Sequence, residues 1–262
     1  MESSRKEKVG IYLIFFVFIF SIIIVKPLSD LDEIWNFNTA RNIANGLIPY
    51  KDISMIVTPL TPMVAAIAMK ILGCELIVTR ILASILGAAI LYLAYRILEI
   101  VSKEPNISII AVLVITIIYR NLFCLDYNFL LLFLALLVLE MELKNNQEKK
   151  ESEHKEKNNI KNKEILFDFK IGIIVGLAIC TKQTIGAIFA LASVIYPFID
   201  ITRIDVTNKK EKIQKSVKRA FARICGAIIP IRNFCNIFNN NRGIWRIYKL
   251  RNKRSKNIYK FN

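Results

Sequence analysis

The residues best suited to chemistry are the adjacent carboxylates Asp32 and Glu33, in the polar segment DLDEIWNFNTARNIANGLIPYKD at 30–52. Neighbours on a helix diverge by about 100°, so these two do not share one proton. One can face a cleft as general base or metal ligand while the other supports the segment or its partner helix. The competing assignment makes both solvated acids at a helix start, where the dipole favours them. Asp30 fits a helix cap, with Glu33 three residues later as its capping-box partner. Ile34, Phe37, Arg41 and Ala44 then share one face at helical spacing, and Gly46 fits a left-handed C-terminal position. The pattern predicts a short amphipathic helix in a membrane interface, with Trp35 at headgroup level. Pro49 and Tyr50 end it and lead to Lys51 and Asp52.

The elements that must hold this segment are apolar. Ile11 to Val25 is interrupted only by Ser21, and Pro59 to Leu72 only by Thr61, Pro62 and Lys70. Hydrophobic residues make up 54% of 262. Soluble chains reach about the same fraction without gathering it into long runs. Several windows approach the ~20 residues needed to cross the hydrocarbon. The net charge of +16 lies in segments that flank apolar runs. That is the distribution of cytoplasmic loops and anionic-lipid contacts, not of a nucleic-acid interface. Cys74, Cys124, Cys180, Cys225 and Cys235 have neither zinc-site spacing nor a disulfide framework. His154, the single histidine, lies in a lysine–glutamate stretch. It therefore supplies no base or nucleophile to the 30–52 segment. Arg5, Lys6 and Lys8 before the first apolar run resemble a signal peptide, but no small-residue cleavage site follows. An uncleaved first helix is expected, leaving the membrane near Pro27.

Candidate spans are 11–26, 57–72, 76–98, 107–119, 127–139 and 169–199. The last is too long for one crossing and carries Thr181, Lys182, Gln183 and Thr184 within it. It is expected to form a hairpin of two short helices with TKQT at the turn. Basic loops at 141–168 and 203–223 should both be cytoplasmic. This works only if 57–72, which begins TPLTP, does not fully cross; Asn121–Asn128 then lies on the face of Asp32 and Glu33. In the alternative, 57–72 crosses and the positive-inside rule fails at 141–163, where Glu148, Glu151, Glu153 and Glu156 dilute the lysines.

The order DE, A-R, N-G-x-x-P-Y-x-D, T-P-L-x-P, L-G and T-R resembles membrane glycosyltransferases that use lipid-linked sugars. These are the GT-C superfamily, in particular the protein-mannosyltransferase-like glycosyltransferase family 39. The matching positions are Asp32, Glu33, Ala40, Arg41, Gly46, Pro49, Tyr50, Asp52, Pro59, Gly73 and Arg80. The likeness extends through Gly176 and Lys182, covering about residues 8–230. It implies an all-α, polytopic fold with a GT-C-like N-terminal transmembrane module, the outer catalytic-type loop spanning 28–56. It also implies transfer of a sugar from a polyprenyl-phosphate carrier to an acceptor on the extracytoplasmic face, with inversion. Asp32 would deprotonate the acceptor hydroxyl and Glu33 would hold the loop. Arg41, Tyr50, Asp52 and Arg80 are the substrate- or phosphate-binding candidates, although Arg80 could equally flank a helix end. Asp126 in CLDYNF matches a second family carboxylate and equally fits a helix cap. Lys182 either meets carrier phosphate or a loop carboxylate, or reaches the headgroups. Some relatives depend on a divalent metal; no ligand cluster in this sequence demands one.

Family members continue through further helices, whereas this chain changes character after Pro230. Residues 231–262 are rich in Lys, Arg and Asn and contain no acid. They are expected to be either a basic membrane-surface tail or an out-of-frame, disordered reading past about Ile231, leaving residues 1–230 as the N-terminal half of an enzyme. A non-catalytic membrane scaffold and a transporter remain as alternatives. The latter would show broken helices in repeated halves, and no such repeat is present.

Overall fold

The computed structural model describes residues 5–28, 31–120, 123–152, 160–203 and 209–258. Asp30, Asn121 and His154 lie outside the described residues. The fold is all-α: α1 (Arg5–Val25), α2 (Leu31–Ala44), α3 (Leu60–Leu72), α4 (Leu76–Ser102), α5 (Pro105–Tyr119), α6 (Tyr127–Ser152), α7 (Ile160–Thr181), α8 (Gln183–Ile195) and α9 (Lys209–Ile258). A 3-10 segment, Tyr196–Arg203, follows α8.

Two helices, Lys6–Val25 and Leu76–Ser102, are long and apolar enough to cross a membrane. Leu60–Leu72, Pro105–Tyr119 and Gln183–Ile199 are apolar but shorter. α1 lies antiparallel to α4. The Tyr12 hydroxyl donates to the Ile85 carbonyl, Ile19 packs over Gly87, and Arg80 meets the last carbonyls of α1. Phe15, Ile19 and Ile23 join Ala83, Ala88 and Leu91 in a core shared with Ile43 of α2 and Met69 of α3. A second apolar seam joins Leu134 and Val138 of α6 to Ile171, Val175 and Ala178 of α7.

Two ends of this bundle can be distinguished by what gathers there. One, the site end, holds the C-terminus of α1, all of α2, the starts of α4 and α6, and the α7–α8 turn. The other, the basic end, holds Lys6, Lys8, Lys103, Lys144, Lys149, Lys163 and Lys210–Lys218. Both ends of α3 belong to the site end: Thr58 before it bonds to Gln183 at the α7–α8 turn, and α4 begins four residues after its last turn. At about 1.5 Å per residue α3 is about 20 Å long, a single unbroken helix shorter than the ~20 residues that cross the hydrocarbon.

The predicted break in 169–199 is present. α7 ends at Thr181, Lys182 is extended, and α8 begins at Gln183. Other expectations require correction. The charged segments 141–168 and 203–223 are largely helix, not loop: α6 runs on to Ser152, α7 begins at Ile160 and α9 at Lys209. EMELKNNQEKK and KKEKIQKSVKR contain strong helix formers and no Gly or Pro, so nothing stops the turn. The segment after Ile231, for which the sequence leaves a basic surface tail and an out-of-frame reading both open, continues α9 to Ile258. Pro230 removes one backbone donor from this helix, and its ring fills the space over Gly176.

α7 and α9 are the most intimately packed pair. A Cβ on Gly172 would collide with the Arg223 carbonyl, one on Gly176 with the Ala227 carbonyl, and one on Gly226 with the Phe169 carbonyl. Gly172-xxx-Gly176 is the small-residue spacing that lets helix backbones touch. Beside it lies a buried ionic network. Asp168, fully buried, accepts from Arg219 Nε and Arg223 Nε, each at 2.7 Å. Arg223 also donates to the Ser193 carbonyl at 2.9 Å and pairs with Glu142. Each charge of the network meets at least one opposite charge, which offsets part of the cost of burying it.

Replacing Gly176 with Ala is expected to lower stability by about 1–3 kcal/mol, the usual cost of overpacking. The same change at Gly10, which has no atom within 4 Å of a Cβ, should be neutral or slightly stabilising. Thermal unfolding of the two detergent-solubilised variants checks this; equal melting temperatures would contradict the close contact.

Candidate functional site

The site is built from the joint between α1 and α2. Backbone carbonyls at a helix C-terminus lack intrahelical donors. At the end of α1 these are satisfied by Arg80 of α4, which donates Nη1 to the Ile24 carbonyl at 3.0 Å and Nη2 to the Lys26 carbonyl at 2.5 Å. The third guanidinium nitrogen, Nε, lies 3.8 Å from Glu33 Oε1. Glu33 is 4% exposed. Arg80 thus ties α1, α2 and α4 together from inside.

With Glu33 turned inward, Asp32 must point elsewhere. Its Oδ1 accepts from the Tyr127 hydroxyl at 3.1 Å. Tyr127 is the first residue of α6, and Asp126 caps that helix: its Oδ1 accepts from the Phe129 amide at 2.7 Å and its Oδ2 from the Asn128 side chain at 3.1 Å. The Lys182 ammonium sits 4.5 Å from the Tyr127 ring centroid and donates to Asn128 Oδ1 at 3.0 Å. A cation over an aromatic face is attracted by about 0.5–2 kcal/mol. Trp35, one turn along α2 from Asp32, meets Tyr127 edge to face at 6.5 Å. A carboxylate, a phenol and an ammonium from three separated parts of the chain therefore converge.

The loop after α2 closes over the same end. Gly46, with φ +94°, ends α2: its amide bonds the Ile43 carbonyl and that of Leu47 the Asn42 carbonyl, the paired bonds of a Schellman cap. Gln183 at the α7–α8 turn donates to the Ile56 carbonyl at 2.7 Å and accepts from the Thr58 amide at 3.1 Å. Thr58 Oγ1 donates to the Ile179 carbonyl at 3.1 Å. A cleft of about 540 Å³ opens along α2, lined by Asp32, Trp35, Asn38, Thr39, Asn42 and Ile53 among others.

Not every sequence candidate reaches this point. Asp52 closes a turn, its Oδ2 accepting from the Ile48 amide at 3.0 Å. Tyr50 has a left-handed backbone (φ +65°), and its hydroxyl makes a long 3.4 Å contact with the Val57 carbonyl. Partial burial pushes the Tyr50 phenol above its ordinary range. Arg41 is exposed and lies nine residues from Asp32, on the opposite side of α2. The side of α2 that is buried is formed by Glu33, Asn36, Thr39, Ala40 and Ile43, not by the face that Ile34, Phe37, Arg41 and Ala44 share. Asp126 serves as a helix cap, and Arg80 as the inner tie of the α1–α2 joint. Among the described residues, no group of three or more His, Cys, Asp and Glu side chains could hold a metal ion. Reading the sequence missed the roles of Tyr127 and Asn128, whose only signal was adjacency to Asp126, and of Thr58 and Gln183, which stood out only as part of TPLTP and of the TKQT interruption.

No family model, curated protein or solved structure matches this chain.

Arg80 and Arg41, alike as sequence candidates, should separate sharply by substitution. Arg80→Leu leaves buried Glu33 and two helix-end carbonyls without their donor and is expected to destabilise by about 3–5 kcal/mol. Arg41→Leu on the exposed face should change stability by less than about 0.5 kcal/mol. Thermal unfolding of both variants tests the difference.

Proposed function

We propose that the chain is a multi-pass membrane protein whose site end is the extracytoplasmic active site of a GT-C-type, lipid-linked-sugar glycosyltransferase. Beyond the two long helices, the outward faces of the shorter ones favour a bilayer. Ile110, Val114, Ile117 and Ile118 of α5 and Ile188, Leu191 and Ile195 of α8 are all exposed. Apolar patches of this extent are costly in water. On the reading that 57–72 does not cross, α1 and α4–α9 run alternately between the two ends. The basic stretches 141–163 and 209–223 then fall opposite Asp32, the side the positive-inside rule assigns to the cytoplasm, whereas the basic C-terminal part of α9, parallel to α7, runs toward the site end.

The observation that carries the reaction is the convergence of Asp32 and Lys182 about Tyr127. In the proposed step, an acceptor hydroxyl oxygen attacks the anomeric carbon of the carried sugar. Its proton passes to the Asp32 carboxylate. The bond from the anomeric carbon to the phosphate oxygen breaks on the opposite face, and the oxygen keeps the electron pair. Lys182 balances the charge that accumulates on the departing polyprenyl phosphate. Asn128 holds the ammonium in place and the Tyr127 hydroxyl orients Asp32. Glu33 and Arg80 act at one remove, by fixing the direction in which Asp32 points. Membrane lipids surround the bundle, and the carrier's polyprenyl chain enters from them.

The test is transfer from a radiolabelled polyprenyl-phosphate sugar by membranes holding the chain. Asp32→Asn should reduce transfer by at least about 100-fold without changing the melting temperature of the purified protein. Lys182→Ala should lower transfer and weaken donor use. Full activity in Asp32→Asn would overturn the assignment and favour a non-catalytic membrane scaffold.

A further inference from the structure

The cleft along α2 has a chemistry of its own. Trp35, Asn38 and Asn42 recur at i, i+3 and i+7, which sets them in one row on a helix, and all three line the cleft with Thr39 between them. Asp32 stands at the head of the row, and Leu31, Ile34 and Ile53 add apolar surface to the lining. Among the described residues, Asp32 is the single charged residue of this lining. The remaining polar groups are two side-chain amides and a hydroxyl, neutral groups that both donate and accept. Lys182 is not among the lining residues; it reaches the Tyr127 ring and Asn128 instead.

Resting on the glycosyltransferase reading, we infer that this cleft is the acceptor site and that the acceptor group is a sugar hydroxyl. An indole face beside paired amides matches a pyranose, which offers an apolar C–H face to an aromatic ring and equatorial hydroxyls to amides. A phosphate-bearing or acidic acceptor would need a cation in the lining. A basic peptide would need more than one carboxylate. The volume of about 540 Å³ falls within the ~300–1,000 Å³ range of small-molecule sites and accommodates a short saccharide. The hydroxyl nearest Asp32 is the nucleophile of the step described above: its O–H proton goes to Asp32, its oxygen forms the new glycosidic bond, and polyprenyl phosphate leaves. The sugar can come from a free glycan or from a glycolipid headgroup.

Two measurements test this independently. The first is binding, read from fluorescence of Trp35 in a Trp245→Phe background, since the chain has two tryptophans. The full chain must be held in nanodiscs or a zwitterionic detergent, because a glucoside or maltoside detergent would itself compete. Titration with methyl glycosides and maltotriose is expected to give a saturable change. Asn38→Ala/Asn42→Ala should weaken it at least 10-fold; both residues are exposed, so folding is retained. The second is the fate of label from a polyprenyl-phosphate sugar. Glycosidase-sensitive product in the aqueous phase identifies a free glycan, and in the chloroform phase a glycolipid. The same double variant should raise acceptor KM at least 10-fold and leave donor KM unchanged. Label released by protease as glycopeptide, or a double variant with wild-type titration and acceptor KM, overturns the saccharide assignment while the transferase reading stands. Saturable saccharide binding without any transfer does the reverse: it supports the site and sinks the transferase.

Discussion

The site depends on one half-buried guanidinium. Arg80 satisfies two carbonyls at the end of α1 and meets Glu33, so a single side chain sets the angle at which α2 leaves α1. Breaking a buried charged contact costs about 3–5 kcal/mol, against a total stability of about 5–15 kcal/mol for a domain. The direction of Asp32 follows, because its neighbour on the helix is committed inward. Catalytic carboxylates need such commitment: a displacement of about 1 Å can cost two orders of magnitude in rate.

The opposing wall of the site is fixed by different means. Lys182 stands at the one-residue break between α7 and α8, and α7 is held by glycine contacts and the Asp168 network against α9. Gly186 brings α8 against α7 so closely that a Cβ there would lie 2.6 Å from the Ala178 carbonyl. Gln183 and Thr58 then join this wall to the loop after α2. Interhelical polar contacts contribute little individually in lipid, about 0.6–2 kcal/mol. Their value here lies in register: the same contacts that hold α7 against α9 set the height at which Lys182 meets Tyr127.

Much of the fold was legible because helix signals are local. Gly46 marked the end of α2, and the TKQT interruption marked the α7–α8 break. What failed depended on partners far along the chain. Glu33 reads equally well as a capping acid or a buried one until Arg80, 47 positions on, is placed beside it. Asp168, Arg219 and Arg223 looked like charges of solvated loops, yet together they form a buried cluster. Asp126 satisfied two local patterns, and in the structure it makes the cap bond to the Phe129 amide. Asp32 and Lys182 stood out as residues, but Tyr127, which brings them together, carries no signal in the sequence.

The central claim is that Asp32 and Lys182 flank an anomeric carbon undergoing in-line displacement. The most direct measurement is the anomeric configuration of the product, by proton NMR, when purified chain in nanodiscs is given a polyprenyl-phosphate sugar of defined configuration. The geometry predicts turnover to a product of inverted configuration. Retention would require a covalent intermediate on this face and would contradict the account, as would an intact donor after prolonged incubation.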